Sequence, residues 1–232
     1  SVQAIDIKDG ATLVGKSANL IALKGGAGPC PRGLVLVTAH LDSVNKQGRF
    51  DPTLPAEGAD DNGSGSAGVL QMARVFASHP SLDDIMFILF GGEEQNLFGS
   101  TQFVAALPAA DRGRLRAVIN MDMIGVINNP PETVLLEGAP VSQHVIDGLE
   151  EKAAAHTRLI VRTSLNASDS DHVPFIEAGL AAVLVIEGDD RQNTTIHSPD
   201  DTKDKVHEAY AAEILRMNVG YVASLVGRAT TA

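Results

Sequence analysis

Short apolar runs alternate with longer amphipathic segments along the whole chain. Gly33–Ala39 and Ile85–Phe90 are rich in β-branched and aromatic residues, as expected of strands that are buried on both faces of a sheet. Between them, Ser64–Ala77 carries apolar residues at helical spacing. Strands that alternate with helices in this way predict a mostly parallel sheet covered by helices on both sides.

The same patterns place the other elements of this sheet and of its covering helices. Six further strands are predicted at Val2–Ile7, Asn19–Leu23, Ala117–Met121, Val134–Glu137, Arg158–Arg162 and Ala181–Ile186. Four further helices are predicted at Gly99–Leu107, Val141–His156, Val173–Ala178 and Val206–Val226. The polar segment Ser43–Gly58 contains two prolines and predicts a surface loop.

The composition fits a single α/β domain over residues 1–232. Of the 232 residues, 44% are hydrophobic and only 20% are charged, which excludes a disordered chain. The net charge of −11 and the aromatic content of 4% argue against a nucleic-acid partner. Cys30 is the only cysteine, so an intrachain disulfide and a thiolate-rich metal site are both excluded. No apolar run reaches the roughly 18–20 residues that a transmembrane segment needs.

Histidine and carboxylate residues follow the predicted central strands or stand in the turns next to them. These residues are His40 and Asp42, Asp60 and Asp61, Glu93 and Glu94, Asp122, and His197. In open α/β sheets, ligands bind beyond the carboxyl ends of the strands. We therefore expect these side chains to meet at one edge of the sheet.

Each of these residues also has an ordinary structural interpretation. Asp60 and Asp61 fit a turn and a helix N-cap, and the pair Glu93 and Glu94 fits a solvated helix start. Two adjacent carboxylates after a buried strand, and Asp122 among apolar neighbours, are nevertheless costly unless a cation lies beside them. Histidine and carboxylate ligands without cysteine are typical of catalytic zinc sites, and enough are present for two ions that share a bridging ligand.

Six segments of the chain resemble the M28 family of zinc peptidases: VLVTAHLDSV, EGADDNGSGSAGVLQMARVF, ILFGGEEQNLFGS, VINMDMIG, SDHVPF and IHSPDDT. The resemblance extends from about residue 19 to residue 202 and keeps the family's order. It implies a three-layer α/β sandwich around a mixed, mostly parallel eight-stranded sheet. It also implies a two-zinc aminopeptidase that acts on peptide substrates.

The resemblance assigns a role to each residue of these motifs. Five residues would bind two zinc ions, with His40 and Asp122 on one ion, Glu94 and His197 on the other, and Asp61 bridging both. Asp61 is chosen over Asp60 because it lies two residues before Gly-Ser-Gly. The peptide bond between Asp61 and Asn62 is expected to be cis. Glu93 would be the general base that takes a proton from the attacking water and passes it to the leaving amine.

Other residues match positions that support or surround the family's site. Asp42 is expected to hold the second imidazole nitrogen of His40, and Ser170 and Asp171 are expected to buttress the site. Asp201 matches the acid after the last ligand and, with Thr202, could also cap the final helix. The residues that match the family's side-chain pocket are all apolar: Met123, Leu184, Ile186 and Ile196.

The sequence departs from the family at two places. Some members carry a tyrosine shortly before the Ser-Asp-His motif that hydrogen-bonds the oxyanion, whereas Leu165–Asp169 contains none. Oxyanion stabilisation would then fall to zinc, Asn166 or Ser168. The family has a helix before its first strand, so further upstream sequence is expected, and the family implies a secreted or periplasmic protein.

Three other functions are alternatives to a two-zinc aminopeptidase. A carboxypeptidase or dipeptidase on the same scaffold would need a cationic clamp for the substrate carboxylate, for which Arg162 and Arg191 are the candidates. A glutaminyl cyclase would hold one zinc ion rather than two. A non-catalytic binding module would have lost ligands, but all five ligand positions and Glu93 are present. The sequence does not indicate the oligomeric state.

Overall fold

The computed structural model of the chain describes residues 1–47 and 54–227 and contains a single eight-stranded sheet in that part of the chain. The strands are Val2–Asp9 (β1), Thr12–Lys24 (β2), Leu34–His40 (β3), Asp84–Phe90 (β4), Leu115–Met121 (β5), Thr133–Glu137 (β6), Ile160–Ser164 (β7) and Ala182–Glu187 (β8). The helices are Gly63–Ala77 (α1), Phe98–Ala106 (α2), Ala109–Arg114 (α3), Gln143–His156 (α4), Val173–Glu177 (α5) and Glu208–Val226 (α6).

The sheet is mixed and has a parallel centre. Its strand order is β1-β2-β4-β3-β5-β8-β6-β7, and β4, β3, β5 and β8 run parallel to one another. β2 is antiparallel to β4, and β6 is antiparallel to β8. The carboxyl ends of the four central strands therefore lie along one edge, which confirms the expected fold class and the expected meeting place of the strand ends.

Two apolar clusters cover the two faces of the central strands. Val35, Val37 and Ala39 of β3 belong to the cluster that packs against α1, α4 and α6. Leu34 and Leu36 alternate with them and belong to the cluster that contains residues of α2 and α5. All 7 residues of β3 are buried, because side chains of a strand point alternately to opposite faces and both faces are covered here. These are the three layers that the sequence predicted.

The sheet extends further at its β1 end than the sequence indicated. β2 begins at Thr12 rather than at Asn19 and pairs with β1 as an antiparallel hairpin. Lys16 and Ser17 break the apolar pattern in this part of β2 because the strand is largely exposed there. An exposed strand at a sheet margin lacks the apolar signal that identifies buried strands.

Smaller differences occur at other boundaries. α2 ends before Pro108, as predicted, but Pro108 then serves as the N-cap of the unpredicted helix α3. β7 begins at Ile160 rather than Arg158, and α6 begins at Glu208 rather than Val206. Of the loop predicted over Ser43–Gly58, residues 48–53 lie outside the described residues. Within residues 1–47 and 54–227, no helix combines the length and the apolar character needed to cross a membrane.

Candidate metal centre and active-site cavity

The predicted ligands lie at the carboxyl edge of the central strands. His40 is the last residue of β3, and Asp122 follows the last residue of the neighbouring strand β5. Glu93 and Glu94 follow β4 after two glycines, and His197 lies in the loop between β8 and α6. Parallel pairing of β4, β3 and β5 brings the first four of these residues to one place, because their strands end side by side.

One group of candidate metal ligands consists of His40, Asp61 and Asp122. His40 Nε2 lies 3.1 Å from Asp122 Oδ1 and 3.2 Å from Asp61 Oδ1. All three side chains are buried. Burial lowers the pKa of His40, but the charge of Asp122 and its hydrogen bond to His40 outweigh burial and hold this pKa well above its ordinary value.

The second group consists of Asp61, Glu94 and His197. His197 Nε2 lies 3.0 Å from Asp61 Oδ2 and 3.1 Å from Glu94 Oε2. Asp61 thus belongs to both groups and faces each of them with a different carboxylate oxygen. Burial raises the pKa of Asp61, but hydrogen bonds with His197 and His40 outweigh it and lower this pKa below its ordinary value.

The chemistry of the two groups fits divalent cations. Glu94 Oε1 is buried and has no hydrogen-bond partner within the described part of the chain. Each group offers imidazole nitrogen and carboxylate oxygen without a thiolate, which is the ligand set of catalytic zinc sites. The ligand atoms of each group lie within 4.8 Å of one another. A carboxylate shared by two such groups is the arrangement that a bridged pair of ions requires.

The charge balance of the site also favours cations. The carboxyl groups around it are Asp42, Asp61, Glu93, Glu94, Asp122 and Asp171. Within residues 1–47 and 54–227, Lys46 is the only lysine or arginine that forms an ion pair with any of them. Its Nζ lies 3.2 Å from Glu94 Oε2 and 3.1 Å from His197 Nε2. Buried carboxylates in such an excess are costly unless positive charge compensates them.

Asp201 and Asn62 fix the backbone around Asp61. The carboxylate of Asp201 accepts hydrogen bonds from the amides of Asp60 at 2.9 Å and Asp61 at 3.0 Å. The peptide bond between Asp61 and Asn62 is cis, as expected. The Asn62 side chain accepts from Gly65 N at 2.9 Å and donates to the carbonyl of Met121 at 3.0 Å. Asp201 therefore holds the loop of the shared ligand. The expectation that it caps the final helix is wrong, because His207 is the N-cap of α6 and, among the described residues, no side-chain hydrogen bond caps that helix.

Asp42 acts differently from the expectation. His40 Nδ1 donates to the backbone carbonyl of Asp42 at 3.0 Å, whereas the Asp42 carboxylate lies 3.9 Å from that nitrogen. The carboxylate instead accepts hydrogen bonds from the amides of Gly92 at 2.9 Å, Glu93 at 3.2 Å and Glu94 at 3.2 Å. Asp42 thus orients His40 through its carbonyl and fixes the loop of the two glutamates through its side chain.

A chain of buried hydrogen bonds supports Asp122 from inside the sheet. Ser170 Oγ donates to Asp122 Oδ2 at 2.7 Å and accepts from Asn120 Nδ2 at 2.9 Å. Thr38 Oγ1 donates to Asn120 Oδ1 at 2.8 Å, so the chain reaches from β3 through β5 to the ligand. Sequence reasoning identified Ser170 but missed Thr38 and Asn120. Their signal is a polar residue between apolar neighbours within the buried part of each of two strands.

Asp171 and His172 lie deep beside the site. Asp171 is fully buried, and neither of its carboxylate oxygens has a hydrogen-bond partner in the described part of the chain. Burial raises its pKa to about 7. His172 is also fully buried, and its Nε2 lies 3.7 Å from Glu137 Oε1 rather than beside a predicted ligand. The buttressing bond predicted for this segment therefore comes from Ser170, not from Asp171.

Glu93 lies next to the first ligand group without belonging to it. Its Oε2 is 4.0 Å from His40 Nε2, and its side chain is mostly buried. Burial raises the pKa of Glu93, the nearby His40 opposes the rise, and the carboxyl groups of Asp122 and Asp171 add to it, giving a value of about 10. Glu93 therefore holds a proton at neutral pH when no cation is nearby.

A cavity of about 760 Å³ opens beside both ligand groups. Part of its wall is the small apolar cluster of Met123, Leu184 and Ile186, against which Leu135 and Ile196 pack. All four residues predicted for the side-chain pocket line this cavity. Leu135 was missed because its place in the wall depends on its pairing with Ile186 across β6 and β8.

The polar residues that line the cavity separate the candidates for oxyanion stabilisation and for binding a substrate carboxylate. Ser168 lines the cavity, whereas Asn166 is not among the lining residues that the structure describes. Arg191 lines the cavity and is exposed. Arg162 pairs with Asp189 at 2.5 Å and is not among those lining residues, which weakens it as a clamp for a substrate carboxylate.

The sequence model of peptidase family M28 matches residues 19–222. The chain belongs to peptidase family M28. That match includes all five predicted ligands, Glu93 and the residues of the apolar cluster.

Relatives of this M28 chain include named aminopeptidases. It is 33% identical to aminopeptidase YwaD of Bacillus subtilis over 189 residues, which cover 80% of this chain and 40% of that protein. It is 30% identical to a probable leucine aminopeptidase of Arthroderma otae, with 83% of this chain and 54% of that protein covered. This M28 chain thus spans about half the length of the curated relatives it matches.

Solved structures show the same fold. The crystal structure of BSAP, a zinc aminopeptidase from Bacillus subtilis, matches with a TM-score of 0.80 at 30% identity, covering 93% of this chain and 52% of that one. Porphyromonas gingivalis glutaminyl cyclase matches with a TM-score of 0.76 at 21% identity, covering 97% of this chain and 84% of that one. The likeness to the cyclase shows the fold alone, so the M28 fold does not by itself separate hydrolysis from cyclisation.

Proposed function

We propose that this chain is the catalytic domain of a two-zinc aminopeptidase that removes N-terminal residues with apolar side chains from peptides. The observation that carries the proposal is the sharing of Asp61 by two ligand groups, which it faces with opposite carboxylate oxygens. The relatives named as aminopeptidases and the zinc aminopeptidase of known structure support it. The apolar cluster in the adjoining cavity supports the preference for apolar side chains.

His40, Asp122 and Asp61 would hold one zinc ion, and Asp61, Glu94 and His197 would hold the other. When bound, a pair of zinc ions supplies Lewis-acid activation of a water molecule and of the scissile carbonyl group. The chain keeps the ligand atoms ready for this role. His40 presents Nε2 to the site because its Nδ1 donates to the carbonyl of Asp42.

Glu93 would carry the proton between the attacking water and the leaving amine. Its carboxyl group lines the cavity and lies beside the first ligand group but outside it. A carboxyl group with a raised pKa both accepts a proton and gives it up again near neutral pH once a neighbouring positive charge favours its ionised form. The backbone amides of Glu93 and Glu94 donate hydrogen bonds to the Asp42 carboxylate. These bonds fix the backbone of both glutamates, so that each side chain keeps its own position in the site.

Oxyanion stabilisation would fall to the ions and to Ser168, which lines the cavity. The two tyrosines of the chain do not serve this purpose. Tyr210 and Tyr221 are buried in α6, where they belong to the core cluster. Tyr210 donates its hydroxyl proton to the carbonyl of Thr133.

The substrate side chain would lie against Met123, Leu184, Ile186, Leu135 and Ile196. Burial of apolar surface is worth about 0.8 kcal/mol per methylene. Leucyl and methionyl substrates should therefore be cleaved with a kcat/KM one to two orders of magnitude above that of aspartyl and glutamyl substrates. A preference for acidic substrates would contradict this specificity.

The function is tested with a panel of aminoacyl, N-blocked dipeptide and glutaminyl substrates, assayed together with zinc per chain. The proposal expects aminoacyl hydrolysis with two zinc ions per chain, loss of activity on chelation and recovery on addition of zinc. Cleavage of N-blocked dipeptides alone would indicate a carboxypeptidase or dipeptidase. Cyclisation of glutaminyl substrates with one zinc ion would indicate a cyclase, and zinc-loaded protein without turnover would indicate a binding module.

We also propose that residues 1–232 form one catalytic domain and that the protein is secreted or periplasmic. The family match over residues 19–222 supports the first statement, and the family resemblance is the only support for the second. Cell fractionation with the natural gene tests the location. Protein confined to the cytosolic fraction would contradict it.

A further inference from the structure

Glu137 places a carboxylate next to the apolar wall of the cavity. It pairs with Leu184 across the antiparallel strands β6 and β8, two residues beyond the pair of Leu135 and Ile186 and therefore on the same face of the sheet. Directly opposed residues of an antiparallel pair have Cβ atoms about 4.5–5.5 Å apart on the same face. Glu137 also lines the cavity, so its carboxylate borders the space that a substrate side chain would fill against Leu184.

The local contacts of Glu137 keep its carboxylate ionised. Glu137 Oε1 accepts a hydrogen bond from Ser168 N at 2.9 Å and lies 3.7 Å from His172 Nε2. Burial raises the pKa of Glu137, but the nearby His172 and the hydrogen bond from Ser168 N outweigh it, and the pKa is lowered below its ordinary value.

No lysine or arginine neutralises this carboxylate. Within residues 1–47 and 54–227, Glu137 forms no ion pair with either residue type, although only 14% of its side chain is exposed. An ionised, mostly buried carboxylate without a permanent cationic partner favours a ligand that brings one.

We propose that the pocket takes lysyl and arginyl side chains in addition to apolar ones, and that Glu137 receives their cationic tips. The aliphatic stem of such a side chain would lie against the same cluster as a leucyl side chain, with the charge directed to Glu137. This inference rests on the proposed aminopeptidase function and extends it to a second class of substrate. It also explains why acidic side chains should be rejected, since they would meet a like charge.

The matched pair of substrates is lysyl and norleucyl, because norleucine has the lysine stem without the amino group. In an apolar pocket that lacks an acid, the ammonium group would be desolvated without a partner, and lysyl substrates would be cleaved far more slowly than norleucyl ones. With Glu137 present, the wild-type kcat/KM for lysyl substrates should lie within about tenfold of the norleucyl value or exceed it. A lysyl value lower than this range would overturn the proposal.

The variant Glu137→Gln removes the charge and keeps an oxygen that can accept from Ser168 N. The ratio of lysyl to norleucyl kcat/KM should fall about 10- to 100-fold, as expected for the loss of a charged hydrogen bond. The matched control is Asp169→Asn, which removes another carboxylate that lines the cavity, at a residue with φ of 54° where asparagine is also tolerated.

Comparison of the two variants decides between a specific contact and the general charge of the cavity. The proposal requires the ratio to fall at least about fivefold further in Glu137→Gln than in Asp169→Asn. A smaller difference overturns it. If the wild type cleaves no aminoacyl substrate at all, the proposed function fails first. If it cleaves norleucyl substrates and the ratio does not respond to Glu137, only the present inference fails.

Discussion

Ser170 Oγ donates a hydrogen bond of 2.7 Å to Asp122 Oδ2, while the other oxygen of that carboxylate lies 3.1 Å from His40 Nε2. The serine also accepts a hydrogen bond from Asn120, so the orientation of Asp122 depends on side chains within the sheet. Groups that hold a metal ligand in place strengthen metal binding because the ligand does not have to be ordered when the ion arrives.

Replacement of Ser170 by alanine should therefore weaken zinc binding. The variant removes the bond to Asp122 and leaves the buried amide of Asn120 without its acceptor. We expect about 10- to 100-fold weaker binding of the ion held by the His40 group, measured by competition with a chromophoric chelator. The control is Ser224→Ala, which removes a serine bond to the carbonyl of Tyr221 in α6. Equal zinc affinity in both variants would contradict the supporting role.

Replacement of Lys46 by methionine should strengthen binding of the other ion. Lys46 Nζ lies within hydrogen-bond distance of both Glu94 and His197, where it competes with a cation for these ligands. Its side chain is 41% exposed, so the effect should be modest, about twofold to fivefold in affinity. The control is Lys203→Met, which removes a lysine paired with Glu208 on the surface. The measurement is a zinc titration of the wild type and both variants. A zinc affinity of Lys46→Met equal to that of the wild type would show that the contact has no effect.

The stability of the metal-free protein should fall as the pH rises from 5 to 9. Burial, together with the neighbouring Asp60, raises the pKa of Glu187 to about 9, whereas an unfolded glutamate titrates near 4.3. The folded state therefore favours the protonated carboxyl group. Its stabilising contribution is complete below the unfolded pKa and is lost as the pH approaches the folded value.

Glu187→Gln should reduce this dependence because glutamine does not titrate. The free energy of unfolding is measured with urea, at several pH values, on protein freed of metal by a chelator. Its decrease per pH unit should be smaller in Glu187→Gln than in the wild type, by up to about 1.4 kcal/mol. The control is Glu151→Gln, at a glutamate whose side chain is 71% exposed. Identical slopes for the wild type and Glu187→Gln would show that Glu187 does not bind a proton in the folded state.

Much of the fold could be predicted because its central strands are buried on both faces. Such strands need uninterrupted apolar residues, and β3 and β4 show them clearly in the sequence. The hairpin strand β2 could not be bounded in the same way, since its first half is largely exposed and Gly15, Lys16 and Ser17 interrupt the apolar residues there. The short helix α3 buries none of its residues, so no apolar periodicity marked it.

The candidate site was predictable to the extent that its residues lie at strand ends. Polar residues after a buried strand are visible in the sequence, which is why His40 and Asp122 were identified. The pairing of Thr38 with Asn120 and of Glu137 with Leu184 depends on strand register, which one sequence does not determine. The direction of the Asp42 side chain depends on the path of the loop after β4.

The adjacent glutamates are proposed to have different roles, with Glu94 binding zinc and Glu93 moving the proton. Glu93→Gln keeps the shape of the side chain but does not accept the proton, so kcat should fall by at least about 10²- to 10⁴-fold while both zinc ions remain. Glu94→Gln replaces an anionic ligand with a weaker neutral one, so zinc content should fall together with activity.

The most direct test is kcat measured beside zinc per chain for these two variants and the wild type. We expect two zinc ions and a kcat lowered at least about 10²-fold in Glu93→Gln, and loss of both zinc and activity in Glu94→Gln. Loss of zinc from Glu93→Gln with two ions kept by Glu94→Gln would show that the roles are reversed. Full activity in both variants would show that the active site lies elsewhere.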